Sequence, residues 1–170
     1  ALEILASAGH FFFDKTGTLT EDRIQWRRTV LTPAGQAWPG GESDALRAAA
    51  GLAAWSSHPL SQALAAAVEP QAAGHRLAWR DVQELPGRGL QGVDASGRLW
   101  QLGSAQWLGQ TTDEEPQARV WLACEGRVGA GFVFDEVLRE GARASLASLR
   151  ADGVRLTLVT GDSPARARAL

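Results

Sequence analysis

Phe11-Phe12-Phe13-Asp14-Lys15-Thr16-Gly17-Thr18-Leu19-Thr20 decides how this chain is read. Three consecutive apolar aromatics predict a buried strand, and a carboxylate ends it. The residues after it form a loop of small hydroxylic side chains around one glycine. Such a loop suits an aspartate that attacks phosphorus. The strand fixes the nucleophile, and Gly17 admits close approach of a phosphate. The N–H groups and hydroxyls of Thr16 and Thr18 are then available to the phosphate oxygens. Lys15 is the only lysine, beside sixteen arginines. A compact ammonium and a planar guanidinium act differently next to a phosphoryl group. Without its neighbours, Asp14 would read as a turn cap and the threonines as solvated.

A chain of 170 residues with a net charge of −2 can bury a core and carries no basic excess, so nucleic acid is not an expected partner. No run of roughly 18 apolar residues is present, so no membrane-spanning helix is expected. Cys124 is the single cysteine and reads as a buried strand thiol. No Cys/His cluster with metal-ligand spacing occurs. Methionine is absent, Ala1 to Ala6 reads as the tail of a helix, and Ala165 to Leu170 reads as helix without a cap. The expectation is a soluble piece cut at both ends.

The pattern changes twice along the chain. After the first loop comes a strand, Ile24 to Leu31, with Trp26 and Val30 at alternating positions. A turn-rich stretch from Thr32 to Gly41 follows. Glu42 to Trp55 reads as a helix, and Ser57-His58-Pro59-Leu60 opens a second one with proline in its first turn. Strands are expected at Leu77 to Leu85, Gly89 to Asp94 and Arg98 to Leu102, with a hairpin turn at Asp94–Gly97. Ser104 to Leu108 reads as a short helix. Arg119 to Cys124 and Val128 to Phe134 read as another hairpin. Glu140 to Ala151 reads as an amphipathic helix with Ala144, Leu146 and Leu149 inward. Val154 to Val159 is then a buried strand, and Thr160-Gly161-Asp162 follows at its end. Strand-end loops of this kind bind ligands in α/β folds. The fold class expected is α/β, with residues 1–23 and 131–170 forming one domain and residues 24–130 inserted as a second, mostly antiparallel one.

Asp14 to Thr20 resembles the phosphorylation motif of the P-type ATPases. That resemblance implies a partial haloacid-dehalogenase-like (Rossmannoid) phosphorylation domain, interrupted by an α+β nucleotide-binding domain with an antiparallel sheet and flanking helices. It implies Asp14 as phosphoryl acceptor, supported by Lys15, Thr16 and Thr18. Thr160-Gly161-Asp162, alone an ordinary turn, is similar to the family's second phosphate-binding motif. ATP and Mg²⁺ are the implied cofactors, with Asp14 and Thr16 among the Mg²⁺ ligands and the others outside the chain. Phosphatases of the same superfamily carry a general acid–base aspartate where this chain has Thr16. A hydroxyl cannot relay a proton as a carboxylate does, so an aspartyl phosphate should persist here.

Ser56-Ser57-His58-Pro59-Leu60 resembles the Ser-Glu-His-Pro-Leu motif of the heavy-metal-transporting branch. It implies that His58, with Pro59 beside it, meets the adenine of ATP; a helix cap is the plain alternative. Pro86-Gly87-Arg88-Gly89 is similar to that branch's glycine turn against the nucleotide, giving Gly87 and Gly89 as contacts. Gly103-Ser104 stands where the family has Gly-Asn. Three positions depart from the pattern: Ala53 replaces a glutamate bonded to the adenine edge, Ser57 a glutamate, and Ser104 an asparagine. Asp135 reads either as a hinge residue or as a capping acid. His10 and His75 belong to no motif.

The function implied is the ATP-binding and phosphorylation part of a heavy-metal pump, copper being the expected cation. Such a part would lie on the cytoplasmic side of an inner or plasma membrane, joined to it through helices outside this chain. The transported cation would bind in those helices. Phosphorylation by this piece alone is expected to be impaired. The alternatives are a stand-alone phosphatase of the haloacid-dehalogenase type and a module that only binds nucleotide.

Overall fold

The computed structural model describes residues 9–14, 18–68, 79–110 and 117–159. The chain divides into two compact units, Ala1–Arg23 with Glu136–Leu170, and Ile24–Asp135. Both crossings fall inside strands.

In the first unit, β1 (His10–Asp14) pairs in parallel with β8 (Arg155–Val159), in register from His10↔Arg155 to Asp14↔Val159. A helix precedes β8, the connection that parallel pairing requires. This helix begins at Ala142, after Gly141 at φ 77°, and not at Glu140 as the sequence suggested. It ends at Ala151. Leu146 and Leu149 are half-buried, whereas Ala144, expected inward, is exposed. A methyl group at the margin of an amphipathic stripe carries little apolar area, so its side of the helix is weakly specified. The sequence predicts a buried β1, yet Phe12 is 66 % exposed. Side chains alternate across a strand, so Phe11 and Phe13 share the half-buried face and Phe12 takes the other.

Six strands make the second sheet, in the order β2-β7-β6-β5-β4-β3. They are β2 (Thr20–Leu31), β3 (Arg80–Leu85), β4 (Gly89–Val93), β5 (Leu99–Gly103), β6 (Ala118–Cys124) and β7 (Arg127–Leu138). Antiparallel pairing links β3 through β7. Among the described residues three helices belong to this unit: α1 (Pro33–Gln36), α2 (Gly41–Ala53) and α3 (Pro59–Ala66). The helix of the first unit is thus α4. The Thr32–Gly41 stretch, expected as turns only, holds the one-turn α1, capped by the Thr32 hydroxyl.

Ala45, Ala48, Ala49, Leu52 and Ala53 recur at helical spacing and form the buried stripe of α2. Small residues let the helix lie close to the sheet. A Cβ on Gly92 of β4 would stand 3.1 Å from Leu52. The stripe packs on Leu90, Trp100, Leu102, Leu122 and Phe132, and Leu60 and Leu64 of α3 complete the cluster. Trp100 is its hub, edge-on to Trp38 at 5.1 Å and to Trp79 at 6.3 Å. The opposite face buries a smaller cluster around Trp121 and Val133. Trp26 packs on the first cluster and Val30 on the second, so the alternation expected between them shifts along β2. Cys124 is buried at the end of β6, and burial raises its thiol pKa. Residues 105–109 are turn and not helix. Their bonds run Leu108 N to Ser104 O, Gly109 N to Gln106 O and Gln110 N to Ala105 O, and these mixed spacings do not propagate a helix.

Asp94 fixes the β4–β5 turn. Its side chain is fully buried. Oδ1 accepts from the amides of Ser96 (2.9 Å) and Arg98 (3.0 Å). Oδ2 accepts from Arg98 Nε and Trp100 Nε1, each at 2.9 Å. Burial by itself would raise this pKa, but the bonds from Trp100 and Arg98 outweigh it and lower the value. A folded pKa below the unfolded one stabilises the fold above the ordinary aspartate range, and that stability is lost as pH falls through the lowered value. Asp94→Asn is therefore expected to cost about 2 kcal/mol at neutral pH, read by urea unfolding. The deficit should shrink as pH drops below about 4. A deficit independent of pH would show that the charge does not matter.

Candidate functional site

Each unit carries one candidate region. In the first, the parallel register sets Asp14 opposite Val159, so β1 and β8 end side by side. Asp14 is exposed at its strand end. Of the residues expected around it, Thr18 is exposed, whereas Lys15, Thr16, Gly17, Thr160, Gly161 and Asp162 lie outside the described residues. The exit of the loop is anchored. Leu19 O accepts from Arg139 N at 2.9 Å, and the fully buried Thr20 donates to Glu136 Oε2 at 3.1 Å. The last two residues of the Asp14–Thr20 stretch thus serve the fold. His10 contacts Thr157 Oγ1 at 2.8 Å, pinning the other end of β1 to β8. His75 lies outside the described residues.

Asp14 offers a hard oxygen of the kind Mg²⁺ takes. Among the described residues, no group of three or more His, Cys, Asp or Glu is placed to hold a metal ion. Asp135, read as hinge or cap, lies inside β7, which continues to Leu138, and faces Arg27 at 3.4 Å on the surface.

The second unit holds a cleft of about 270 Å³ where the α2–α3 loop meets the ends of β3, β4 and β5. His58 lines it as N-cap of α3. Its Nδ1 accepts from Leu60 N at 3.2 Å. Accepting at Nδ1 fixes the neutral tautomer with hydrogen on Nε2, so the ring has a donor left over. The cap does not compete with a ligand role, because the two use opposite nitrogens. Pro59 presets the first turn of α3 but does not line the cleft, nor does Ser57. Ala53 is fully buried in the core and does not line the cleft.

Gly87 and Gly89 differ. Gly87 has φ 72°, and a Cβ there would meet open space. Gly89 has φ 145°, and its Cβ would stand 2.1 Å from Leu102 O. Gly103 pairs with Gly89 across the ladder, and its own Cβ would stand 2.2 Å from Arg88 O. Gly89 and Gly103 are thus required by strand packing before any ligand is considered. Ser104 also lines the cleft, but its N–H donates to Arg88 O at 3.0 Å and its hydroxyl accepts from Trp107 N at 3.3 Å.

Glu84, Arg88 and Arg119 also line the cleft, and sequence reasoning did not single them out. Glu84 Oε1 accepts from the buried Ser56 hydroxyl at 2.7 Å, and the same hydroxyl accepts from His58 N at 3.1 Å. The region thus combines an outward imidazole donor, one carboxylate, two guanidiniums and an open glycine turn. It fits a planar, hydrogen-bonding group carrying negative charge.

Residues 9–170 match the family of haloacid dehalogenase-like hydrolases. The chain is 31 % identical over 183 residues to the copper-exporting P-type ATPase of Mycobacterium tuberculosis, covering all of this chain and 22 % of that protein. It is 30 % identical over 164 residues to copper-exporting P-type ATPase B of Archaeoglobus fulgidus, covering 89 % of this chain and 22 % of the relative. The chain therefore spans about a fifth of the length of these curated relatives. Among solved structures, a zinc-transporting PIB-type ATPase superposes with a TM-score of 0.77 at 26 % identity, over 99 % of this chain and 28 % of the other.

The two glycines of the turn make separable predictions. Gly89→Ala should lower unfolding stability by about 2 kcal/mol or more, since it meets backbone on the next strand and keeps a strained φ. Gly87→Ala should cost only about 1 kcal/mol, from φ alone. Urea denaturation of both variants measures the difference, and equal losses would contradict the packing described.

Proposed function

Since this chain belongs to the haloacid dehalogenase-like hydrolase family, we propose that it is the ATP-binding and phosphoryl-accepting part of a heavy-metal-transporting P-type ATPase. The observation that carries the proposal is the exposed Asp14 carboxylate at the end of a strand that runs parallel to β8, inside the sequence Asp14-Lys15-Thr16-Gly17-Thr18. ATP seats its base in the cleft of the 24–135 unit, with the His58 Nε2 hydrogen as donor and Gly87 leaving room for close approach. An Asp14 carboxylate oxygen attacks the γ-phosphorus, the bond to the β–γ bridging oxygen breaks, and ADP leaves with that electron pair. Lys15, Thr16, Thr18 and Thr160 hold the transferring oxygens. Mg²⁺, when bound, neutralises phosphoryl charge, and the Asp14 and Thr16 oxygens are the ligands this chain contributes. Thr16 supplies no base for hydrolysis, so the aspartyl phosphate lasts long enough to be coupled to transport. That position separates this reading from a stand-alone phosphatase.

The whole protein would be an integral membrane pump with this part on the cytoplasmic side. Among the described residues no helix is long and apolar enough to cross a membrane, so cation binding is assigned to helices outside this chain. The likeness to two copper-exporting ATPases favours copper as cargo.

Two measurements test the proposal. The protein carrying this chain, given γ-labelled ATP and its cation, should form an acid-stable, hydroxylamine-labile phosphoprotein, and Asp14→Asn should abolish it. Label persisting in the variant would contradict the assignment. His58→Asn keeps a capping side chain but removes the ring, and should weaken ATP binding about tenfold by calorimetry, roughly 1.4 kcal/mol. Unchanged affinity would reduce His58 to a cap.

A further inference from the structure

We propose that Glu84 is the residue by which this chain selects adenine, its carboxylate accepting a hydrogen bond from the 6-amino group of the bound base. The inference rests on the reading of the cleft as a nucleotide site and adds the group that identifies the base.

Three observations carry it. The first is orientation. In the β3–β4 ladder Glu84 is paired with Leu90, and Gln83 with Gln91. Gln91 Nε2 donates to Gln83 Oε1 at 3.2 Å on the exposed face. Leu90 is 2 % exposed and belongs to the core. β3 shifts register between Arg80 and Gln83, so the side Glu84 takes is read from its pairing with Leu90: Glu84 stands exposed at the margin of the apolar face. A charged residue there breaks the alternating pattern, and such breaks mark function more often than folding.

The second is preorganisation. Ser56, 4 % exposed, donates to Glu84 Oε1 at 2.7 Å. The Ser56 carbonyl in turn accepts from Gln62 of α3. One carboxylate oxygen is thus held by the α2–α3 loop. The other has no bonded partner among the described residues.

The third is complementarity. Among the described residues Glu84 contributes the only carboxylate lining the cleft, and His58 contributes a ring donor a few residues from the same Ser56 anchor. Adenine presents an exocyclic amino donor and ring-nitrogen acceptors, so one acceptor and one donor match it. The carboxylate of this cleft comes from β3.

The test compares ATP with purine riboside triphosphate, which lacks only the 6-amino group, by calorimetry on this chain. The wild type should bind ATP about tenfold more tightly. Glu84→Ala should lower ATP affinity by that factor and leave purine riboside triphosphate unchanged, closing the gap. Glu84→Gln, which keeps an acceptor oxygen, should retain part of it. Equal weakening for both nucleotides would assign Glu84 to loop structure alone, and an intact gap in Glu84→Ala would remove it from base reading; either overturns the inference while leaving the nucleotide site standing. Failure of the wild type to bind either nucleotide would overturn both.

Discussion

The close approach of β4 and β5 at Gly89 and Gly103 is the constraint on which the cleft depends. A Cβ on either glycine would run into backbone across the ladder. With both Cβ atoms absent, the Ser104 N–H reaches Arg88 O, and the Pro86–Arg88 turn is stitched to the exit of β5. The turn then holds Gly87 with its open side free. It also fixes where β3 ends, and hence where Glu84 stands opposite Ser56. The cleft is built from backbone geometry first and decorated by side chains second.

The same hairpin is fixed at its far end by Asp94. A buried carboxylate with donors from Ser96, Arg98 and Trp100 locks the turn to Trp100, and Trp100 is the hub of the aromatic core under α2. Between the two fixed ends, Leu90, Gly92 and Leu102 take the alanine-rich face of α2. A site set on regular strands and braced at both ends is held more closely than one on loops. The α2–α3 loop is the exception. There the Ser56 hydroxyl, donating to Glu84 and accepting from His58 N, supplies locally the order that a strand supplies elsewhere.

Much of this was legible in the sequence, for identifiable reasons. Strands and hairpins were readable where alternation and turn chemistry agreed, as at Asp94–Gly97. The long alanine and leucine stretch gave α2. His58 before Pro59 was readable as a cap and as a ligand residue, and the tautomer shows that one does not displace the other. What was not legible depends on partners distant along the chain. Glu84 looks like an ordinary polar strand residue until its register against Leu90 is known. Gly89 reads as a ligand glycine, and only the structure shows that Leu102 across the ladder also requires it. Phe12 looks buried because three phenylalanines in a row hide which face lacks a cover. Ser104 to Leu108 looks helical by composition, but its bonds take mixed spacings.

The central claim is that an adenine base sits at the end of the β4–β5 hairpin, against His58. Intermolecular nuclear Overhauser effects between ATP and the isotope-labelled chain test it most directly. Expected are contacts from the adenine ring protons to the His58 ring and to the amides of Gly87 and Ser104. Contacts confined to the 136–170 segment, or none at saturating nucleotide, would contradict it.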